Sequence, residues 1–261
     1  MTGVDLFPAR WPAPSRVFAA TTIRIGGCSA DPYASLNLAD HVGDEAGRVR
    51  DNRQRLAESL AKNLGFPARF QWLRQVHGNR HATVTEAGPA PEADSLITRV
   101  PGIALCVLTA DCLPVFVVSR RGDEIAIIHA GWRGLRAGII GNTLAAMRGK
   151  AEDLLVWLGP AIQPDRYEVG EDVREAFLGR AATRRKSEPI AAAFAPGPKP
   201  GKYQADLPRI AKIQLQALGV TAITGGTHCT HGDPTRFYSH RRDGPCGRMA
   251  SLICIKAAPA T

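Results

Sequence analysis

Short apolar runs separated by glycine-bearing polar turns alternate along this chain with stretches of helical spacing. The clearest case is residues 109–134, TADCLPVFVVSRRGDEIAIIHAGWRG. Positions 113–118 are apolar, 119–124 carry charge around Gly122, and 125–128 are apolar again, a pattern that predicts a β-hairpin. Antiparallel pairing sets the start of the first strand beside the end of the second. Cys112 and His129 then converge at one end of a sheet, where Gly131 and Gly134 let the backbone bend into the next element.

The same grammar extends in both directions. Residues 1–15 hold prolines and aromatics and read as an irregular arm; 17–25 predict a strand that ends at Gly26 and Gly27. Asp44 is the expected N-cap of a helix over 45–63, closed by Gly65. On that helix Val49, Leu56 and Leu60 form an apolar stripe, and Arg53 falls at its edge. A strand over 70–76 ends at His77 and Gly78, with 81–85 as its return strand, and 94–98 and 103–108 lead into the hairpin. Helical spacing follows over 135–147, a buried strand over 154–158 and a short helix over 171–178. Residues 179–202 read as a long excursion rich in Arg, Ala, Pro and Gly. Asp206 caps a helix over 207–218, Gly219 ends it, and strands over 222–224 and 248–255 finish the chain. Alternating strands and helices without a repeat predict an α/β fold, a single domain over 16–261 with a mixed β-sheet flanked by helices.

Composition narrows the class. Hydrophobic residues make up 44% and charged residues 22%, ordinary for a globular protein. No apolar run is long enough to cross a membrane, and the first residues lack a signal-peptide layout, so the expected location is cytoplasmic. Six cysteines in a reducing compartment argue against a disulfide framework; Cys106 and Cys254 lie in apolar runs and read as core. The net charge of +9 suits an anionic ligand, but the arginines are spread along the chain, and nucleic acid is not the expected partner. Their densest cluster, Arg184 to Lys186, falls in the excursion and reads as loop.

His77, Cys112 and His129 each sit where a predicted strand meets a turn. Two imidazoles and a thiolate make a three-ligand zinc set with a fourth position open to water or substrate. They also match a copper set, although a multicopper oxidase needs a further cluster that seven histidines, with no His-x-His pair, do not supply. A third reading is a Cys112 nucleophile with His129 as base and Asp111 or another carboxylate as orienter. Residue types alone favour ordinary core histidines over these readings. His228, Cys229, His231 and His240 of the tail suggest a second metal site or, better, a polar active-site wall, and Arg241, Arg242 and Arg248 suit phosphate. Neither GxGxxG nor GxxxxGK[ST] occurs, which removes the support for dinucleotide-binding and P-loop readings.

The ordered segments SLNLADHVGD, NRQRL, QVHG, ADSLIT, TADCLPV, HAGWRG, GPAI, YEVGEDV and FYSHRRDGPCGRMASLI resemble the YfiH, or laccase-domain, family. That family is also called peptidoglycan editing factor or multi-activity purine nucleoside phosphorylase. The match spans roughly residues 21–255. The resemblance implies a YfiH-like α/β domain, related to the catalytic fold of cytotoxic necrotizing factor. It implies a zinc site, with copper as the alternative metal, made by His77, Cys112 and His129, and Arg53 in the same pocket. The implied activities are phosphorolysis of adenosine, inosine and methylthioadenosine and deamination of adenosine. Arg53 and Arg248 would guide phosphate, with Asp111 as a further substrate-side or supporting carboxylate. Alternatives that the family carries are a peptidoglycan-precursor editing hydrolase using Cys112 and His129, and a copper-dependent polyphenol oxidase. The implied partners are small molecules, purine nucleosides and phosphate, with no membrane. At His231 and His240 the tail departs from the family pattern, where aromatic residues are more frequent.

Overall fold

The computed structural model describes residues 4–179 and 184–257. In chain order its elements begin with β1 (Leu6–Pro8), β2 (Val17–Thr22), α1 (Ala46–Leu64) and β3 (Arg69–Gln71). The central run is β4 (His81–Val84), β5 (Ser95–Thr98), β6 (Ile103–Thr109), β7 (Leu113–Ser119), β8 (Ile125–Ala130), α2 (Trp132–Ala137) and α3 (Ile139–Ala146). Then come β9 (Leu154–Leu158), β10 (Glu168–Gly170), α4 (Glu171–Leu178), α5 (Arg184–Ala191), β11 (Phe194–Pro196) and β12 (Lys202–Ala205). The chain closes with α6 (Leu207–Ala217), β13 (Ala222–Gly225), α7 (His240–Asp243) and β14 (Met249–Ile255).

The strands form not one mixed sheet but three sheets. A six-stranded sheet has the order β13-β9-β7-β8-β5-β4, a five-stranded sheet β1-β2-β14-β6-β3, and a small one β10-β12-β11. The two large sheets are mixed, each combining antiparallel and parallel pairs. They pack face to face: Phe116, Val118, Ile125, Ile127 and Trp157 of one share a buried cluster with Ile103, Leu105, Val107 and Ile253 of the other. The outer face of the six-stranded sheet, through Val115, Val117, Ile128 and Val156, lies under Leu135, Ile140, Ile210 and Leu215 of the helices. The outer face of the five-stranded sheet lies under Leu56 and Leu60 of α1. This helix, sheet, sheet, helix layering explains why β6, β7 and β8 read as unbroken apolar runs: every residue in them is buried.

The predicted hairpin is present, with Pro114 opposite His129 in the β7–β8 register. Other expectations need correction. The arm is not irregular, since β1 pairs with β2. The helix over 45–63 starts one residue later, and its cap is different. Glu45 stands at the N-cap position without a side-chain bond, and Asp44 instead accepts from Ser29 Oγ (2.6 Å) and Asn37 Nδ2 (2.9 Å). The strand over 70–76 shortens to β3, because the chain leaves the five-stranded sheet there to reach the other sheet. Gln75 covers the gap with its side chain, donating to Leu108 O (2.9 Å) and accepting from Leu108 N–H (2.7 Å). The segment 81–85 is not a return strand of β3 either; β4 runs parallel to β5 in the six-stranded sheet. The helix over 135–147 starts earlier and is two helices, broken where Gly138 takes φ 90°. The excursion over 179–202 holds α5 and β11, and the Arg184 to Lys186 stretch has a helical backbone; positions 180–183 lie outside the described residues.

Candidate metal centre

β7 and β8 deliver Cys112 and His129 to one end of the six-stranded sheet, as antiparallel pairing requires. His77 arrives from the loop between β3 and β4. The ligand atoms of His77, Cys112 and His129 all lie within 4.8 Å of one another. The two imidazoles meet edge to face, centroids 4.7 Å apart at 79°. His129 is buried, Cys112 half-buried and His77 exposed, so the cluster is open on one side.

Asp94, fully buried at the start of β5, organises the cluster. One of its oxygens accepts from His129 Nδ1 (2.8 Å) and from His77 N–H (2.9 Å). The other accepts from the N–H groups of Gly78 (2.7 Å) and Val76 (3.3 Å). Because an ionised carboxylate only accepts, Nδ1 of His129 carries the proton and Nε2 keeps its lone pair for a ligand. Burial works against the charge on Asp94. The His129 contact and the loop N–H groups overcome it and hold the carboxyl below its ordinary range. The Cys112 thiol is likewise shifted down: burial opposes ionisation, and His129 and His77 outweigh it. His129 is shifted up, with burial opposed by Cys112 and Asp94. Cys112 and His129 each favour the charged form of the other.

Two backbone features fit a bound ion. Among the described residues other than glycine, only His77 (φ 58°) and Asp111 (φ 97°) take positive φ, and both border the cluster. Gly131 is equally constrained, since a Cβ there would lie 3.0 Å from Cys112 Sγ and 3.3 Å from His77 Cδ2. A side chain at that position would fill the space between the ligands. Soft sulfur with two imidazoles accepts zinc or copper.

Beside Cys112 opens a cavity of about 170 Å³, lined by Asp111, Tyr167, His240, Arg241 and apolar groups that include Ile162. Asp111 does not belong to a strand. It fastens the tail to the hairpin, accepting from Thr230 Oγ1 (2.6 Å), from Arg241 N–H (2.7 Å) and, at its carbonyl, from Ile162 N–H (3.0 Å). The Arg241 guanidinium lies 5.0 Å from the centroid of the Tyr167 ring and donates to Glu168 O (2.8 Å). Arg242 is an internal clamp, bound to both oxygens of Asp243 and to the carbonyls of Thr230, His231 and Phe237.

Arg53 and Arg248 lie elsewhere, on either side of the Leu38 backbone. Arg53 Nε donates to Leu38 O (3.0 Å), its guanidinium pairs with Asp40 (3.3 Å) and stacks over Trp72, while Leu38 N–H donates to Arg248 O (3.3 Å). Arg248 turns one nitrogen to the carbonyls of Cys246 and Gly247. None of these contacts reaches His77, Cys112 or His129. The tail histidines form no second cluster among the described residues. His228 packs on Phe7, and His240 joins the wall of the cavity.

Sequence reasoning had Asp94 only as the start of a strand and passed over Gly131 and Tyr167 as site residues. The signal for Asp94 was an acidic residue opening the apolar segment ADSLIT. A carboxylate in a fully buried strand requires a partner.

The fold and site define a mixed α/β protein with one His/Cys/His cluster able to hold a metal ion beside a polar-walled cavity. The chain belongs to the family described as multi-copper polyphenol oxidoreductase laccase, whose model matches residues 18–256. It is 46% identical over 248 residues to a purine nucleoside phosphorylase of Pseudomonas aeruginosa, covering 94% of this chain and 96% of the relative. It is 43% identical to the purine nucleoside phosphorylase YfiH of Escherichia coli, covering 96% and 98%. Among solved structures, a Neisseria meningitidis protein superimposes with TM-score 0.88 at 42% identity, covering 97% of this chain and 99% of that one. YlmD of Geobacillus stearothermophilus gives 0.85 at 32%, covering 98% and 100%. The resemblance read from the ordered motifs is borne out. Among the described residues no helix is long and apolar enough to cross a membrane.

Proposed function

We propose that this protein is a zinc-dependent purine nucleoside phosphorylase with adenosine deaminase activity, acting in the cytoplasm on adenosine, inosine and methylthioadenosine. The observation that carries the reading is the open His77, Cys112 and His129 cluster beside the cavity walled by Tyr167, His240 and Arg241. The names of the relatives support the phosphorylase half.

His77, Cys112 and His129 would hold the metal. A bound divalent ion there supplies Lewis acidity and lowers the pKa of water toward neutrality. Asp94 keeps His129 in the tautomer that presents Nε2 and, through three backbone N–H groups, fixes the loop that carries His77. Asp111 supports the site by joining the tail to the hairpin, and Arg241 brings positive charge to the cavity wall. Arg53 and Arg248 do not line this cavity, and on this reading Arg241, which does, supplies the cationic guidance that an anionic nucleophile needs.

The apposition of Cys112 and His129 supports a second reading, a hydrolase with Cys112 as nucleophile and His129 as base, acting on peptidoglycan precursors. A Cys112→Ala variant separates the two. The zinc reading expects metal content and nucleoside turnover to fall together; full turnover in a metal-free variant contradicts it. Inactivation by iodoacetamide of a metal-stripped but active enzyme marks the thiol hydrolase, and copper-dependent oxygen uptake marks the oxidase.

A further inference from the structure

We propose that His240 is the catalytic proton carrier of the deamination, an inference that rests on the purine reading of the same site. His240 opens the short helix α7 and lines the cavity beside Cys112. Its Nδ1 lies 2.8 Å from the carbonyl oxygen of Gly244. A carbonyl only accepts, so Nδ1 carries the proton, and in the neutral ring Nε2 is left as an unprotonated acceptor. Among the described residues Nε2 has no hydrogen-bond partner.

The other titratable groups that line the cavity are occupied or unsuited. Both oxygens of Asp111 are engaged, by Thr230 and by the Arg241 backbone. Cys112 is taken by the metal in this reading. Burial, reinforced by the charge of Cys112, pushes the Tyr167 phenol up to about 12, too weak an acid to exchange protons near neutrality. The Arg241 guanidinium has donors only and no acceptor. On the helix itself, Arg242 and Asp243 bind each other and point into the tail. An imidazole with one nitrogen anchored and the other open is what remains for moving a proton.

In the step assigned to it, Nε2 accepts one proton from water as the water oxygen bonds to C6 of adenosine. It returns that proton to the amino group, which leaves as ammonia with the electrons of the C6–N bond. The second water proton ends on N1 of inosine. One C–O bond forms, one C–N bond breaks, and no oxidant or reductant is needed.

His240→Asn is the informative variant, because its amide retains a donor for Gly244 O and lacks the Nε2 acceptor. Inosine and adenine formation from adenosine, with phosphate present, are measured on the zinc-loaded full chain together with its zinc content. Phosphate is already anionic and needs no base, so the ratio of deamination to phosphorolysis should fall about 100-fold or more while zinc stays bound. Imidazole should restore part of the deaminase activity of His240→Ala. A ratio within a few-fold of wild type, or loss of zinc and both activities together, overturns the proposal. Phosphorolysis without deamination by the wild type also overturns it and leaves the phosphorylase reading standing. A wild type inert toward adenosine in both assays overturns that underlying reading instead.

Discussion

Four hydrogen bonds converge on the carboxylate of Asp94, one from His129 and three from the backbone of the loop that carries His77. A residue that touches no substrate thereby sets the positions of two of the three candidate ligands. Its removal should act on the metal before it acts on the fold. In Asp94→Asn one oxygen becomes an NH₂ facing donors, so His129 loses its orientation or the loop loses a bond. Zinc affinity, measured by competition with a chromogenic chelator, should drop 10- to 100-fold, the usual effect of removing a partner behind a metal ligand. Unchanged affinity would mean that the ligands hold their geometry without Asp94. At this scale the sequence was legible for the ligands and less so for what positions them. His77, Cys112 and His129 stand where predicted strands meet turns. An acidic residue opening the apolar segment ADSLIT signals that Asp94 needs a partner, but not which one, because its partners come from segments distant in sequence.

At the scale of elements, two-sided burial made the central strands readable. β6, β7, β8 and β9 are buried throughout, and a strand covered on both faces shows as a continuous apolar run. β1, β10, β11 and β12, of three or four residues, are too short for a period to appear. The run over 70–76 misled for a different reason. Its apolar residues Leu73 and Trp72 pack into the core from irregular backbone, and the side chain of Gln75 takes the place of a strand partner for Leu108. Gln75→Leu should leave the Leu108 N–H and C=O without partners and cost about 2 kcal/mol in urea unfolding. Stability equal to wild type would show that the gap closes by other means. Gly138 marks the other misreading: its positive φ divides one amphipathic stretch into α2 and α3.

For the molecule as a whole, the layering decides where chemistry can sit. Two sheets packed face to face leave no room between them, and helices cover both outer faces. The open ground is at the strand ends, where the β7–β8 hairpin, the His77 loop and the tail meet. That convergence was foreseeable for Cys112 and His129 from hairpin pairing alone. The addition of His77 depended on a chain crossing from one sheet to the other, which no periodicity encodes. The positive charge has no single focus in the site: Arg242 is bound inside the tail, Arg53 is held at Leu38 O and Asp40, and Arg248 turns to the carbonyls of Cys246 and Gly247.

The most direct test of the account is product analysis of metal-quantified protein incubated with adenosine, with and without phosphate. The account predicts about one zinc per chain, adenine formed only when phosphate is present, and inosine formed in its absence. Adenosine recovered intact from zinc-loaded protein under both conditions would contradict the purine-nucleoside assignment while leaving the metal site in place.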